Sequence, residues 1–180
     1  YFNDGSEYPA ILNGNKLKNN FSLGFDRELI SFKSIEVKHG KIINIAYIFN
    51  NSAYISDCNK LSQSNLKELK NLNYFIIDCL RYKKHPSHFS LSEILSLVKL
   101  IKPKHTILTN LHIDLDYNVL LKKLPMYIRP AYDGLRLELW IEKMFIIEVS
   151  ILFKSYIYKK NSINYLWIFW KYYFLIGCKR

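Results

Sequence analysis

The 180-residue chain has few of the residues that staple or punctuate a fold: three cysteines, six glycines and five prolines. Cys58, Cys79 and Cys178 form no CxxC pair and no even-numbered framework. That argues against a disulfide scaffold and a structural zinc site, and for a reducing, cytoplasmic compartment. No Gly/Ser-rich linker and no internal repeat divides the chain. No secretory signal opens it, and it starts at Tyr1 without a methionine, in what reads as mid-domain sequence, so further sequence is expected upstream. The longest apolar stretch, INYLWIFWKYYFLIG at 163–177, is interrupted by Lys171 and falls short of the roughly 20 residues that a membrane-crossing helix needs. Acidic side chains are scarce too, 15 against 26 lysines and arginines, for a net charge of +11. Such a charge attracts polyanions: nucleic acid, phosphorylated ligands or anionic lipid. The lysines are scattered rather than clustered, and the richness in Lys, Ile, Asn, Tyr and Phe is typical of AT-rich coding sequence. Compositional drift is therefore favoured over a dedicated nucleic-acid face.

What is present suits one layered domain. Hydrophobic residues make up 49% of the chain, enough for a core at this length. Residues 1–34 are polar, with turn signals at Asn3-Asp4-Gly5-Ser6 and Asn13-Gly14, and predict short β elements and loops, YPAIL among them. SIEVKHG (34–40) alternates like a strand and stops at His39-Gly40. KIINIAYIF (41–49) and SAYISD (52–57) read as strands joined at a hairpin turn, Asn50-Asn51-Ser52. Leu66, Leu69 and Leu72 give helical spacing to 62–72, with Ser62 or Ser64 as N-cap. LNYFIIDCL (72–80) is a buried-strand candidate ending near Asp78. In 90–101, Leu91, Ile94, Leu95, Val98 and Ile101 share one helical face behind a capping box, Ser90 with Glu93. HTILTN (105–110) predicts a further strand, DYNVLLKKL a short helix, and IRPAYDGLRLEL (128–139) a hairpin or edge-strand pair. This alternation of strands and helices indicates an α/β fold over 1–139.

Residues 140–180 differ in kind. They hold all three tryptophans, Trp140, Trp167 and Trp170, one glycine and no proline. Three readings compete for this aromatic, basic tail: a non-native, irregular appendix, an amphipathic anchor at a membrane surface, or a partner-binding helix. The sharp change in composition favours the first.

Four residues that can carry chemistry fall at strand ends or just beyond: His39, Asp57, His88 and His112. Singly, each has a plain structural use, a hydrogen-bonded histidine or an aspartate capping a turn. Together, imidazoles and a carboxylate on one sheet edge suit divalent metal, because neutral imidazole nitrogen and carboxylate oxygen both ligate zinc or manganese.

The segments EVKHG…AYISDC, IIDCLRYKKHPSHFSLSEIL, LTNLHIDLDY and PAYDGLRLEL occur in this order. They resemble the C-terminal half of metallo-β-lactamase-fold hydrolases. The subgroup they look most like is that of phosphodiesterases related to the cyclic-phosphate diesterase of phosphonate degradation, cousins of the tRNA 3′-processing endonucleases. The resemblance covers roughly 1–139 and implies half of an αββα sandwich. It also implies roles. His39 looks like a ligand of the first metal, and Asp57 like the carboxylate bridging two. His88 is similar to the histidine that contacts the scissile phosphate and protonates the leaving oxygen. Many relatives read THxSHDLDY where this chain has Thr109-Asn110-Leu111-His112-Ile113-Asp114. Asn110 thus stands at the ligand position by ungapped count, and His112 is the imidazole left to serve as the last metal ligand. Asp78 would organise the loop bearing Arg81 and His88. Asp114 and Asp116 would orient His112 or cap turns, His85 would sit in a loop behind the site, and His105 would begin a surface strand.

The implied chemistry is hydrolysis of a phosphodiester, a small molecule or nucleotide, by hydroxide shared between two divalent ions, zinc or manganese. The HxHxDH signature that supplies four ligands in relatives does not occur in this sequence. The expectation is a partial, truncated hydrolase that is inactive alone. Two alternatives stand beside it: one half of a split enzyme, its N-terminal half supplied by another chain, or a small basic membrane-associated non-enzyme held through the tail. A homodimer is compatible with either.

Overall fold

A computed structural model describes residues 16–25, 28–141, 145–150, 156–160 and 163–167. The chain begins as an antiparallel meander of β1 (Asn20–Phe25), β2 (Glu28–His39), β3 (Ile42–Phe49) and β4 (Ser52–Ile55). The β3–β4 connection holds Asn50 and Asn51 both at φ +51°. A two-residue hairpin of this hand needs left-handed backbone at both central positions, and asparagine tolerates it better than other side chains do.

The pairing then changes direction. β4 pairs parallel with β5 (Tyr74–Asp78), β5 with β6 (His105–Thr109) and β6 with β7 (Ile128–Pro130), completing a seven-stranded sheet in chain order. Parallel neighbours need crossovers. These are α1 (Gln63–Glu68), α2 (Leu91–Ile101) and α3 (Tyr117–Lys123). Ser62 and Asp116 cap α1 and α3 through their side-chain oxygens. At α2 the Glu93 carboxylate accepts the backbone N–H of Ser90 at 2.9 Å and its hydroxyl at 2.5 Å.

Because strand side chains alternate between faces, each parallel strand feeds two cores. Val37, Ala46, Ile55, Phe75, Ile77 and Leu108 pack with Ile94, Val98, Ile101 and Leu120 from the helices and with Leu69 just past α1. On the other face Ile30, Ile76 and Ile107 meet Leu137 and Leu139 of β8 (Arg136–Ile141), with Phe32, Phe49 and Tyr74 alongside.

Several boundaries differ from the sequence expectation. The helix read over 62–72 is only α1, because Leu69 and Leu72 are buried beyond its end rather than along one helical face. The pair expected within 128–139 is not a hairpin. Ile128–Pro130 joins the sheet beside β6, while Arg136–Ile141 pairs antiparallel with β9 (Phe145–Ser150). Of the tail, the described residues are extended. They comprise the end of β8, then β9, and then β10 (Tyr156–Lys160) paired with β11 (Ile163–Trp167). Their β-branched and aromatic residues favour strand. YPAIL, both early turn signals, Trp170 and Cys178 lie outside the described residues. Among the described residues, no helix is long and apolar enough to cross a membrane.

Two outcomes test this packing. Ile94 is fully buried at the centre of the helix-side core, so Ile94→Ala should lower unfolding free energy by about 2–5 kcal/mol in denaturant titration. Partial burial raises the Glu93 carboxyl, but its two hydrogen bonds from Ser90 outweigh this and hold it below its ordinary value. The capping contribution is therefore complete above the unfolded glutamate pKa of about 4.3 and fades as pH falls through the lower folded value. Glu93→Gln should shrink the loss of melting temperature between neutral and acid pH.

Candidate functional site

The parallel register sets Ile55 beside Ile77 and Asp78 beside Thr109, so β4, β5 and β6 end at one edge. Asp57 leaves that edge at φ +49° and Asn110 at φ +55°, left-handed positions that let the chain turn sharply off a strand. Asn44, buried in β3, steadies the first turn. Its side-chain amide donates to the carbonyls of Ser56 at 2.9 Å and Asp57 at 3.2 Å. A polar residue inside the apolar run IINIAYIF was a legible signal, and sequence reasoning passed over it.

Asp78 is wholly buried, and its Oδ2 accepts a hydrogen bond from His88 Nδ1 at 2.5 Å. Its other oxygen, Oδ1, is buried with no hydrogen bond of good geometry. Burial raises the Asp78 carboxyl above its ordinary pKa, and the hydrogen bond to Asp78 raises His88 above its own. Asp57 Oδ1 lies 3.8 Å from the same His88 nitrogen. At the end of β2, His39 donates through Nδ1 to the Ser87 carbonyl at 2.9 Å. Its ring stands 4.7 Å from that of His88, nearly perpendicular at 75°. The carbonyl can only accept, so His39 carries its proton on Nδ1 and, when neutral, leaves Nε2 as a lone pair.

His39, Asp57, Asp78 and His88 thus come together. Asp78, read from sequence as a loop organiser, touches His88 directly. The His85 ring lies 5.1 Å from that of His88, tilted at 49°, with Nδ1 against Ser87. His112 stands apart: about half exposed, it pairs through Nδ1 with Asp114 Oδ1 at 2.8 Å. Its backbone N–H donates to the Leu80 carbonyl. Asp116 caps α3 rather than contacting His112. His105 opens β6 in an exposed position, stacked on Tyr74.

Among the described residues, the group with ligand atoms all within 4.8 Å of one another is Asp57, Asp78 and His88. Two carboxylates and an imidazole are donors that zinc or manganese accepts, and Asp78 Oδ1 is buried with no hydrogen bond of good geometry. These donor types suit a divalent ion, and with Asp78 Oδ2 paired to His88, Asp57 is the carboxylate left to hold one. His88 Nδ1 is already committed to Asp78, which leaves Nε2 as the ring nitrogen free for other work.

The carboxyl edge of parallel strands is where α/β proteins bind ligands. The comparisons define the class further. No protein-family model matches the chain, and no curated protein matches it. Among solved structures it is similar to a diphosphatase of the PhnP family, with 30% identity and a TM-score of 0.62 over 68% of this chain and 47% of that one. It is also similar to human tRNase Z, short form, with 17% identity and a TM-score of 0.49 over 68% and 48%. The chain has the metallo-β-lactamase fold, as its sequence motifs implied. It spans about half the length of each of these two structures.

Because folding raises the Asp78 pKa, its charged form opposes folding above the unfolded carboxyl value. Asp78→Asn removes that cost and can still accept from His88. It should lessen the fall in melting temperature that this group causes as pH rises from acid to neutral, read by thermal melts across that range.

Proposed function

We propose that this chain carries one half of a metal-dependent phosphodiesterase site, acting on a phosphodiester of a small molecule or nucleotide. The observation that carries the reading is the Asp78–His88 pair set against Asp57 and His39 at a parallel sheet edge. Asp57 and the His39 Nε2 lone pair are the groups that would hold a divalent ion, zinc or manganese, with His112 as a further ligand if its ring turns from Asp114. Such an ion, when bound, supplies Lewis-acid stabilisation of charge on phosphoryl oxygens. The chain's own residues do the rest. Asp78 holds His88 by Nδ1, fixes which ring nitrogen faces outward and favours its protonated form. His88 Nε2 is then the atom placed to give a proton to a leaving oxygen.

On this reading the chain alone holds metal weakly and hydrolyses slowly, since its sequence contains no HxHxDH. A second polypeptide bearing that motif would complete the site, in keeping with the cytoplasmic setting that the cysteine pattern favours. The test is titration of the purified chain with zinc and manganese, followed by hydrolysis of bis(p-nitrophenyl) phosphate. We expect at most one weakly held ion, lost in Asp57→Asn and His39→Ala, and turnover near background. Uptake of two ions with turnover on the order of 1–1000 per second would overturn the half-site reading. Ion uptake indifferent to both substitutions would overturn the ligand assignment.

A further inference from the structure

The three segments that bring His39, Asp57 and His88 together are separate in sequence, and one residue in the second of them bonds to the other two. Asn59 follows Asp57 by two residues. Its backbone N–H donates to the Lys38 carbonyl at 2.9 Å, one residue before His39. Its Oδ1 accepts the Gly40 N–H at 2.9 Å, one residue after His39. Its Nδ2 donates to the Pro86 carbonyl at 2.8 Å, two residues before His88. All three bonds have good length, and together they use the backbone N–H and both ends of the amide.

The neighbouring contacts follow the same seam. Lys38 N–H donates to the Lys60 carbonyl at 3.1 Å, and Phe89 N–H to the Cys58 carbonyl at 2.9 Å. At Gly40, φ is +60°, and an added Cβ would come within 3.2 Å of the Ser87 side chain. The His39 turn therefore lies tightly against the His88 loop, where the Ser87 carbonyl receives His39 Nδ1. That last bond sets the His39 tautomer. It survives only if the loop carbonyls stay in register with the turn, and Asn59 is the side chain that ties one to the other.

We propose that Asn59 is a positioning residue: a clamp between Gly40 and Pro86 that fixes the mutual placement of His39 and His88 without any bound ion. Its bearing on catalysis rests on the function proposed above, whereas its geometry does not. A side chain that accepts on one side and donates on the other is required. Aspartate, of the same shape, keeps the acceptor for Gly40 and sets a carboxylate oxygen against the Pro86 carbonyl, so it splits the clamp in two.

The test reads imidazole nitrogens directly, in metal-free protein labelled with nitrogen-15, by long-range proton–nitrogen correlation and proton exchange. In the unsubstituted chain, His39 should be in the Nδ1–H form, with slow exchange at Nδ1–H, at the Gly40 amide and at the Asn59 side-chain amide. Asn59→Ala should speed exchange at His39 Nδ1–H and Gly40 by on the order of tenfold, the scale of one lost hydrogen bond, and mix the His39 tautomers. Asn59→Asp should leave Gly40 protected yet still release His39. Leu120→Ala, a cavity in the helix-side core, should lower the melting temperature with His39 unchanged. If both Asn59 variants behave like Leu120→Ala, the residue is merely structural and the proposal falls. Rapid exchange of the Asn59 amide in the unsubstituted chain would overturn it with no variant needed. Because no ion or substrate enters the readout, absence of phosphodiester hydrolysis would count against the proposed function and leave the clamp standing.

Discussion

Parallel pairing of β4, β5 and β6 is the constraint on which the rest depends. Parallel strands end at the same edge, so residues far apart in sequence, Asp57, Asp78 and Asn110, leave the sheet side by side. The same pairing requires crossovers, and these must cover a face; α1, α2 and α3 therefore bury one side of the sheet. Backbone donors and acceptors are also released where each ladder stops, and they need partners away from water. Asn44, the Thr109 carbonyl that receives Cys79 N–H, and the Leu80 carbonyl that receives His112 N–H meet that need at the edge.

The site then concentrates groups that folding alone would avoid. A fully buried carboxylate costs stability, and burial outweighs the hydrogen bonds it accepts, His88's foremost. The raised pKa of Asp78 and the raised pKa of His88 are two views of one arrangement: burial disfavours the charged acid, and the acid in turn favours the charged base. Left-handed backbone at Asp57 adds strain at the same place. Such costs are tolerated where a well-packed scaffold over-determines the geometry, and Phe75, Ile77 and Leu108, all fully buried, provide it directly beneath.

Local signals carried most of the scaffold. The Ser90–Glu93 box and the spacing of Leu91, Ile94, Val98 and Ile101 defined α2, because capping and one-sided burial are both short-range. Asn50-Asn51 marked its hairpin for the same reason. Residues 128–139 misled because the two strands there are short and pair with different neighbours, a choice made by β6 and β9 rather than by the segment itself. His39, Asp57 and His88 were singled out through motif resemblance, with no local physics to say that their side chains would come together. His112 was singled out as the last imidazole available, yet it faces Asp114, two residues away. Asn59 gave no sign at all, since an asparagine in a polar loop is ordinary until its three partners are known.

The sequence by itself determined the periodicities, caps and turns, and hence an α/β chain with histidines and aspartates at strand ends, because these follow from side-chain spacing and backbone preference within a few residues. Tertiary structure alone decided which of those residues share a site. Register across parallel strands and hydrogen bonds spanning 10 to 48 positions, from Asp78 to His88 and from His39 to Ser87, depend on partners that no local stretch contains.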